Sequence, residues 1–272
     1  MHKRHFLVLT ASLVLGSLVS GSLAFAEDAE KFPLRKTFNE IKVIETADLT
    51  QKAGEYAIVD VRSPFEYSIM HIQGAINLPI SDKKFVANAK QAAADTKKPL
   101  VFYCNGHRCA KSYEAAMMLT KAGDSNVLSY DGGISDWATS NPQLTVLLDK
   151  PLDPKALIND AQFKAHALSP KDFMSKAQAQ PAAYVIDVRD SFQVEGVSLF
   201  PGRDIRTGLD IAKLKKVIGT AKEANQPMYF YDATGLQVKP LQYLLEDQGL
   251  KEYYFLQGGM AGYFDMLSGK AK

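Results

Sequence analysis

Six apolar runs of four to six residues recur along the chain, at Tyr56–Val61, Leu100–Tyr103, Val127–Tyr130, Tyr184–Val188, Met228–Tyr231 and Tyr253–Leu256. Each is apolar nearly throughout, which predicts strands buried on both faces. Segments with helical spacing separate them, as at Phe85–Ala94 and Leu209–Ala224. Helices are expected to start at Thr46-Ala47-Asp48-Leu49 and at Ser169-Pro170-Lys171-Asp172-Phe173. The second start has an N-cap serine and a proline at the first helical position. Buried strands alternating with helices predict an α/β fold with a parallel sheet covered by helices on both faces.

The pattern repeats at an offset of about 127 residues. Ala57-Ile58-Val59-Asp60-Val61-Arg62 returns as Tyr184-Val185-Ile186-Asp187-Val188-Arg189. Pro99-Leu100-Val101-Phe102-Tyr103-Cys104 returns as Pro227-Met228-Tyr229-Phe230-Tyr231-Asp232. Tyr130-Asp131-Gly132-Gly133 returns as Leu256-Gln257-Gly258-Gly259. Three matches in one order at one offset imply two copies of one fold. The expected division is a domain at 41–142, a linker at 143–165 with a short helix at Lys155–Phe163, and a second domain at 166–272. Residues 27–40 are expected to be a polar, irregular lead-in.

Residues 1–26 have the form of a secretory signal peptide. His2, Lys3 and Arg4 are followed by an apolar stretch from Phe6 to Val19, and Ala24-Phe25-Ala26 fits a cleavage site. Cleavage would remove two of the 32 basic residues and no acid, balancing the 30 acidic ones. A neutral mature chain argues against nucleic acid or an anionic membrane as partner. The periplasm is the expected location.

Both cysteines, Cys104 and Cys109, lie in one loop between an apolar run and a helical pattern. A pair so close encloses little chain and gains little as a structural staple, so reactivity is the stronger reading. Thiolates are stabilised by basic neighbours and by a helix N-terminus. His107, Arg108 and Lys111 supply the charge, and Gly106 lets the backbone turn. In open α/β sheets ligands bind beyond the carboxyl ends of strands, where Cys104 falls. Two cysteines alone make a poor metal site, so neither metal nor cofactor is expected.

These residues together resemble the rhodanese family. The resembling segments are Asp60-Val61-Arg62-Ser63-Pro64-Phe65-Glu66-Tyr67, His71-Ile72-Gln73-Gly74-Ala75-Ile76-Asn77-Leu78-Pro79 and Tyr130-Asp131-Gly132-Gly133-Ile134-Ser135-Asp136-Trp137. The resemblance covers nearly the whole mature chain and implies two tandem domains, each with a parallel sheet of about five strands. It further implies that Cys104 takes a sulfane sulfur from a donor such as thiosulfate, holds it as a persulfide and passes it to a thiol or cyanide. Asn105, Gly106, His107, Arg108 and Cys109 would form the substrate loop, with Asp60, Arg62 and Lys111 in support. The acceptor would be a small thiol or a periplasmic protein thiol.

Two departures matter. The loop has the form Cys-Asn-Gly-x-x-Cys-x-x-Ser, with Cys109 where many members carry arginine. Cys109 either resolves an oxidised or persulfidated Cys104 by forming a disulfide, or packs as a small residue at the helix start. Ala110 stands where phosphatase relatives need arginine, which disfavours phosphatase chemistry. The second half has Asp232-Ala233-Thr234-Gly235-Leu236-Gln237 in place of the cysteine loop, and its segment at Val194–Ile205 is eroded. That half is expected to be a degenerate scaffold beside the first. The competing reading is a non-catalytic or redox-sensing binding module with a Cys104–Cys109 disulfide. Asp60, Arg62 and Glu66 are expected to pair as structural charges, His71 to order its turn, and Trp137 to pack in the core.

Overall fold

A computed structural model describes residues 30–189 and 198–270. The signal segment at 1–26 and part of the eroded segment at Val194–Ile205 lie outside the described residues. Among the described residues no helix is long and apolar enough to cross a membrane.

The first half builds a parallel sheet from β1 (Ala57–Asp60), β3 (Ile76–Asn77), β4 (Leu100–Tyr103) and β5 (Val127–Tyr130), in the order β3-β1-β4-β5. The second half builds one from β8 (Ala167–Leu168), β9 (Tyr184–Asp187), β10 (Asp204–Arg206), β11 (Met228–Tyr231) and β12 (Tyr253–Leu256), in the order β10-β9-β11-β12-β8. Five strands are therefore present in the second sheet only. In the first, the fifth place holds a single parallel bridge, Val43 to Ser129. Its neighbour Ile44 anchors there, its backbone N–H donating to the Ser129 carbonyl oxygen at 3.0 Å. One bridge is too short to count as a strand.

Strand side chains alternate between two cores, because successive residues point to opposite faces. Val59, Leu100, Phe102 and Cys104 pack under the helices Phe85–Thr96 and Lys111–Lys121. Ile58, Val101 and Tyr103 face the other way, into a cluster with Trp137. That cluster continues into the second half through Ile186, Phe230, Leu241 and Leu245. The helix Val238–Asp247 packs on the helix Pro64–Ile69 across the two halves.

Two segments differ from the sequence expectation. Residues 30–40 are not an irregular lead-in. A 3-10 turn at Pro33–Lys36 is pinned to the first half, with Phe32 buried. Arg35 explains why: its guanidinium grips buried Asp131 at 2.8 and 3.1 Å, pairs with Glu45 at 2.8 Å, and lies 3.9 Å from the Phe32 ring centroid. Residues 143–165 are more than a linker. They supply β6 (Thr145–Leu147) and β7 (Lys150–Pro151), which form an antiparallel sheet with β2 (Met70–Ile72). The helix expected at Lys155–Phe163 is instead a 3-10 turn at Pro154–Ala156 and a helix at Asp160–His166. Its true start is the Asn159–Gln162 capping box.

Candidate functional site

Strand β4 ends at Tyr103, and the chain turns at Cys104 into a loop that closes onto the helix Lys111–Lys121. Two supports hold this loop from beneath. The N-terminus of the helix Gly133–Ser140 donates to it, Ile134 N to Cys104 O at 2.9 Å and Ser135 N to Asn105 O at 3.3 Å. Ser135 Oγ adds a bond to Asn105 O at 2.7 Å. The approach is so close that only glycine fits at 133. A Cβ there would lie 2.5 Å from Gly106 N and 2.6 Å from Cys104 O, and φ is +58°. Gly106 itself has φ +148°.

The second support is a polar chain from β1. Arg62 and Asp60 are both buried, and the guanidinium donates to the carboxylate at 2.9, 3.2 and 2.5 Å. Arg62 also donates to Met70 O at 2.6 Å and to Asn105 Oδ1 at 3.3 Å. Asn105 in turn donates to Glu66 Oε1 at 2.9 Å. Glu66 is held by its capping box with Ser63. Burial alone would raise the Glu66 carboxyl. The Arg62 charge and the bonds from Asn105 and Ser63 outweigh it and hold Glu66 below the usual carboxylate range. Of the expected pairing, the ion pair between Asp60 and Arg62 is present, whereas Glu66 joins it through Asn105, which also links it to the loop.

Cys104 and Cys109 are bonded through their sulfurs, with Cα atoms 6.4 Å apart. That spacing lies within the usual disulfide range. Cys104 is buried, at 1% exposure, whereas Cys109 is partly exposed. The Cys104 sulfur lies 3.8 Å from Ser112 Oγ and 3.3 Å from the Cys109 carbonyl oxygen. Ser129 donates to Ser112 at 3.0 Å, which leaves Ser112 its own proton for the sulfur. Packing alone therefore does not describe Cys109.

The basic residues of the loop divide. Arg108 and Lys111 are exposed and form no ion pair among the described residues. His107 does not turn toward the sulfur. Its Nε2 lies 2.8 Å from Asp136 Oδ2 and its ring packs 4.5 Å from Phe32. His71 orders its turn as expected, bonding Tyr67 O at 2.8 Å, and Trp137 is buried. Sequence reasoning assigned no role to Ser112, Ser129, Ser135 or Asp136. Only the serine at the end of the loop motif hinted at Ser112, and the others meet the loop solely through tertiary contact.

The loop in the second half is built alike. Met260 N donates to Asp232 O at 2.9 Å and Ala261 N to Ala233 O at 3.0 Å. Asp187 and Arg189 repeat the buried ion pair at 2.7 Å. Where the sulfur would lie, the Asp232 carboxylate accepts Gly235 N at 2.5 Å and Gln237 N at 2.6 Å. The chain's own carboxylate occupies this cradle. Among the described residues no group of three or more His, Cys, Asp or Glu side chains could hold a metal ion.

The sequence profile of the Rhodanese-like domain matches residues 44–140. Thiosulfate sulfurtransferase GlpE of Pseudomonas syringae pv. syringae is 38% identical over 89 residues, 33% of this chain and 78% of that protein. Thiosulfate:glutathione sulfurtransferase of Saccharomyces cerevisiae is 29% identical over 117 residues, 38% of this chain and 83% of that protein. Among solved structures, a rhodanese-related protein from Thermoplasma volcanium matches with 30% identity and a TM-score of 0.32, over 37% of this chain and 93% of the other.

Proposed function

The chain belongs to the rhodanese family, and from that membership we propose that it is a sulfurtransferase carrying a sulfane sulfur as a persulfide on Cys104. The observation that supports this reading best is the setting of the Cys104 sulfur. It stands at the carboxyl end of an inner strand, beside the Ser112 hydroxyl and the N-terminus of the helix Lys111–Lys121. A hydroxyl donor and the positive end of a helix both favour a thiolate. In the reduced protein the thiolate attacks the outer sulfur of thiosulfate. The S–S bond of the donor breaks and sulfite leaves with its electron pair. An acceptor thiol or cyanide then takes the outer sulfur, completing covalent catalysis in two half-reactions. Arg108 and Lys111, exposed at the loop, attract the anionic donor.

The reading includes export. The basic start, the apolar stretch and Ala24-Phe25-Ala26 make the periplasm the proposed compartment, with a periplasmic thiol as acceptor. The second half acts in this reading as a degenerate partner domain, because Asp232 cannot carry sulfur.

Reduced protein treated with thiosulfate releases sulfite, and Cys104→Ala abolishes both that release and thiosulfate-to-cyanide transfer. The Cys104–Cys109 bond favours a second reading, a redox-sensing binding module. A reduced protein that releases no sulfite and shows no transfer would leave that reading in its place.

A further inference from the structure

The reactive loop contains a second sulfur that simple transfer to an acceptor does not use. Resting on the persulfide reading of Cys104, we propose that Cys109 is a resolving cysteine, which gives the protein a further activity: release of hydrosulfide coupled to dithiol oxidation.

Three observations carry this. The two sulfurs meet within one short loop, closed by the bond from Cys109 N to Gly106 O at 2.8 Å, so no other element need move. The second half shows that the fold itself creates the proximity. Gln237 occupies the place of Cys109, and its backbone N–H bonds the side chain of Asp232, which occupies the place of Cys104. The closure between these two positions is therefore present where no disulfide exists. The third observation is asymmetry: Cys104 is buried and Cys109 is partly exposed.

From these the chemistry follows. In the persulfide the inner sulfur is Cys104 Sγ, the atom that Cys109 Sγ reaches. The Cys109 thiolate attacks it, the bond between inner and outer sulfur breaks, and the outer sulfur departs as hydrosulfide with the electron pair. The protein is left with the Cys104–Cys109 disulfide. A small external thiol resets it by attacking the exposed sulfur, that of Cys109. Cys104 leaves as the thiolate, beside the Ser112 hydroxyl. A second external thiol attacks the mixed disulfide and frees Cys109. The sum is thiosulfate plus two thiols giving sulfite, hydrogen sulfide and one disulfide. External acceptors that reach the outer sulfur first compete with this route.

A single-turnover experiment decides it. Reduced protein, freed of reductant under anaerobic conditions, receives one equivalent of thiosulfate, and sulfite, sulfide and intact protein mass are read. The wild type is expected to release about one sulfide for each sulfite and to end two hydrogens lighter than the dithiol, by the resolving exchange. C109S is expected to release sulfite and to retain one extra sulfur, yielding sulfide only when glutathione is added. Its sulfite release also shows that the variant is folded. Wild type that retains the extra sulfur and releases no sulfide overturns the resolving role alone. So does C109S that releases sulfide as the wild type does. If neither protein takes up sulfur, the Cys104 reading falls and the resolving role with it.

Discussion

Glu66 illustrates how one side chain holds the loop. It accepts the Asn105 amide on one oxygen and the Ser63 N-cap on the other, and Arg62 supplies a positive charge nearby. Its carboxyl is held below the ordinary value of 4.5 despite burial. A carboxylate depressed in the folded state contributes stability that is complete above its unfolded value and is lost as pH falls through the folded one. Glu66→Gln keeps an oxygen for Asn105 but gives Arg62 no charge. The variant should therefore be less stable than the wild type at neutral pH, and the gap should close as pH drops below 4.5. Other carboxylates titrate in both proteins and cancel in the difference. Denaturant titrations at several pH values read it, and a gap independent of pH would contradict the account.

At the scale of elements, the site depends on how closely two backbones approach. The helix Gly133–Ser140 begins directly under the cysteine loop and donates to its carbonyls. Gly133→Ala places a methyl group 2.5 to 2.7 Å from backbone atoms of residues 104–106, in a conformation with φ +58°. Neither strain can be relieved by rotating a side chain. Gly74 also has positive φ, +79°, but open space around it. Gly74→Ala should cost about 1 kcal/mol and leave persulfide formation intact. Gly133→Ala should cost several times that, on the order of 3 kcal/mol or more, and should abolish sulfur uptake by displacing the loop. Unfolding curves and sulfite release from thiosulfate distinguish the two variants.

The six main strands were readable at this scale because burial on both faces leaves an unbroken apolar run. Four of them, Leu100–Tyr103, Val127–Tyr130, Met228–Tyr231 and Tyr253–Leu256, begin and end where the apolar runs do. The strands β2, β6 and β7 left no such mark. They are two or three residues long, and His71 pairs with Val146 across more than seventy positions of chain. A pairing of that kind resides in the partner, not in local composition.

Across the whole molecule, one apolar cluster joins the halves, and the helix Val238–Asp247 braces the helix that carries Glu66. The degenerate loop thus leads into an element that supports the cysteine site from outside. Trp137 is the single tryptophan and lies in the first half, so its fluorescence follows the unfolding of that half. Leu241 is fully buried in the second half. Leu241→Ala should cost about 2–5 kcal/mol and lower the midpoint followed by Trp137 fluorescence along with that followed by circular dichroism. A Trp137 transition unmoved by the change would mean that the halves unfold independently.

The sequence by itself determined the alternation of strands and helices, the recurrence of three segments in one order, the position of Cys104 at a strand end and the absence of a cysteine at Asp232. These features are local: an apolar run, a turn, a residue type at one place. The tertiary structure decided what depends on distant partners. It joined Cys104 to Cys109 over Ser112, drew residues 30–40 onto Asp131, paired the linker with β2, and turned His107 to Asp136. The reason is physical. A buried strand is specified by its own side chains, whereas an ion pair, a short antiparallel pairing or the spacing of two sulfurs exists only once the fold has brought its members together.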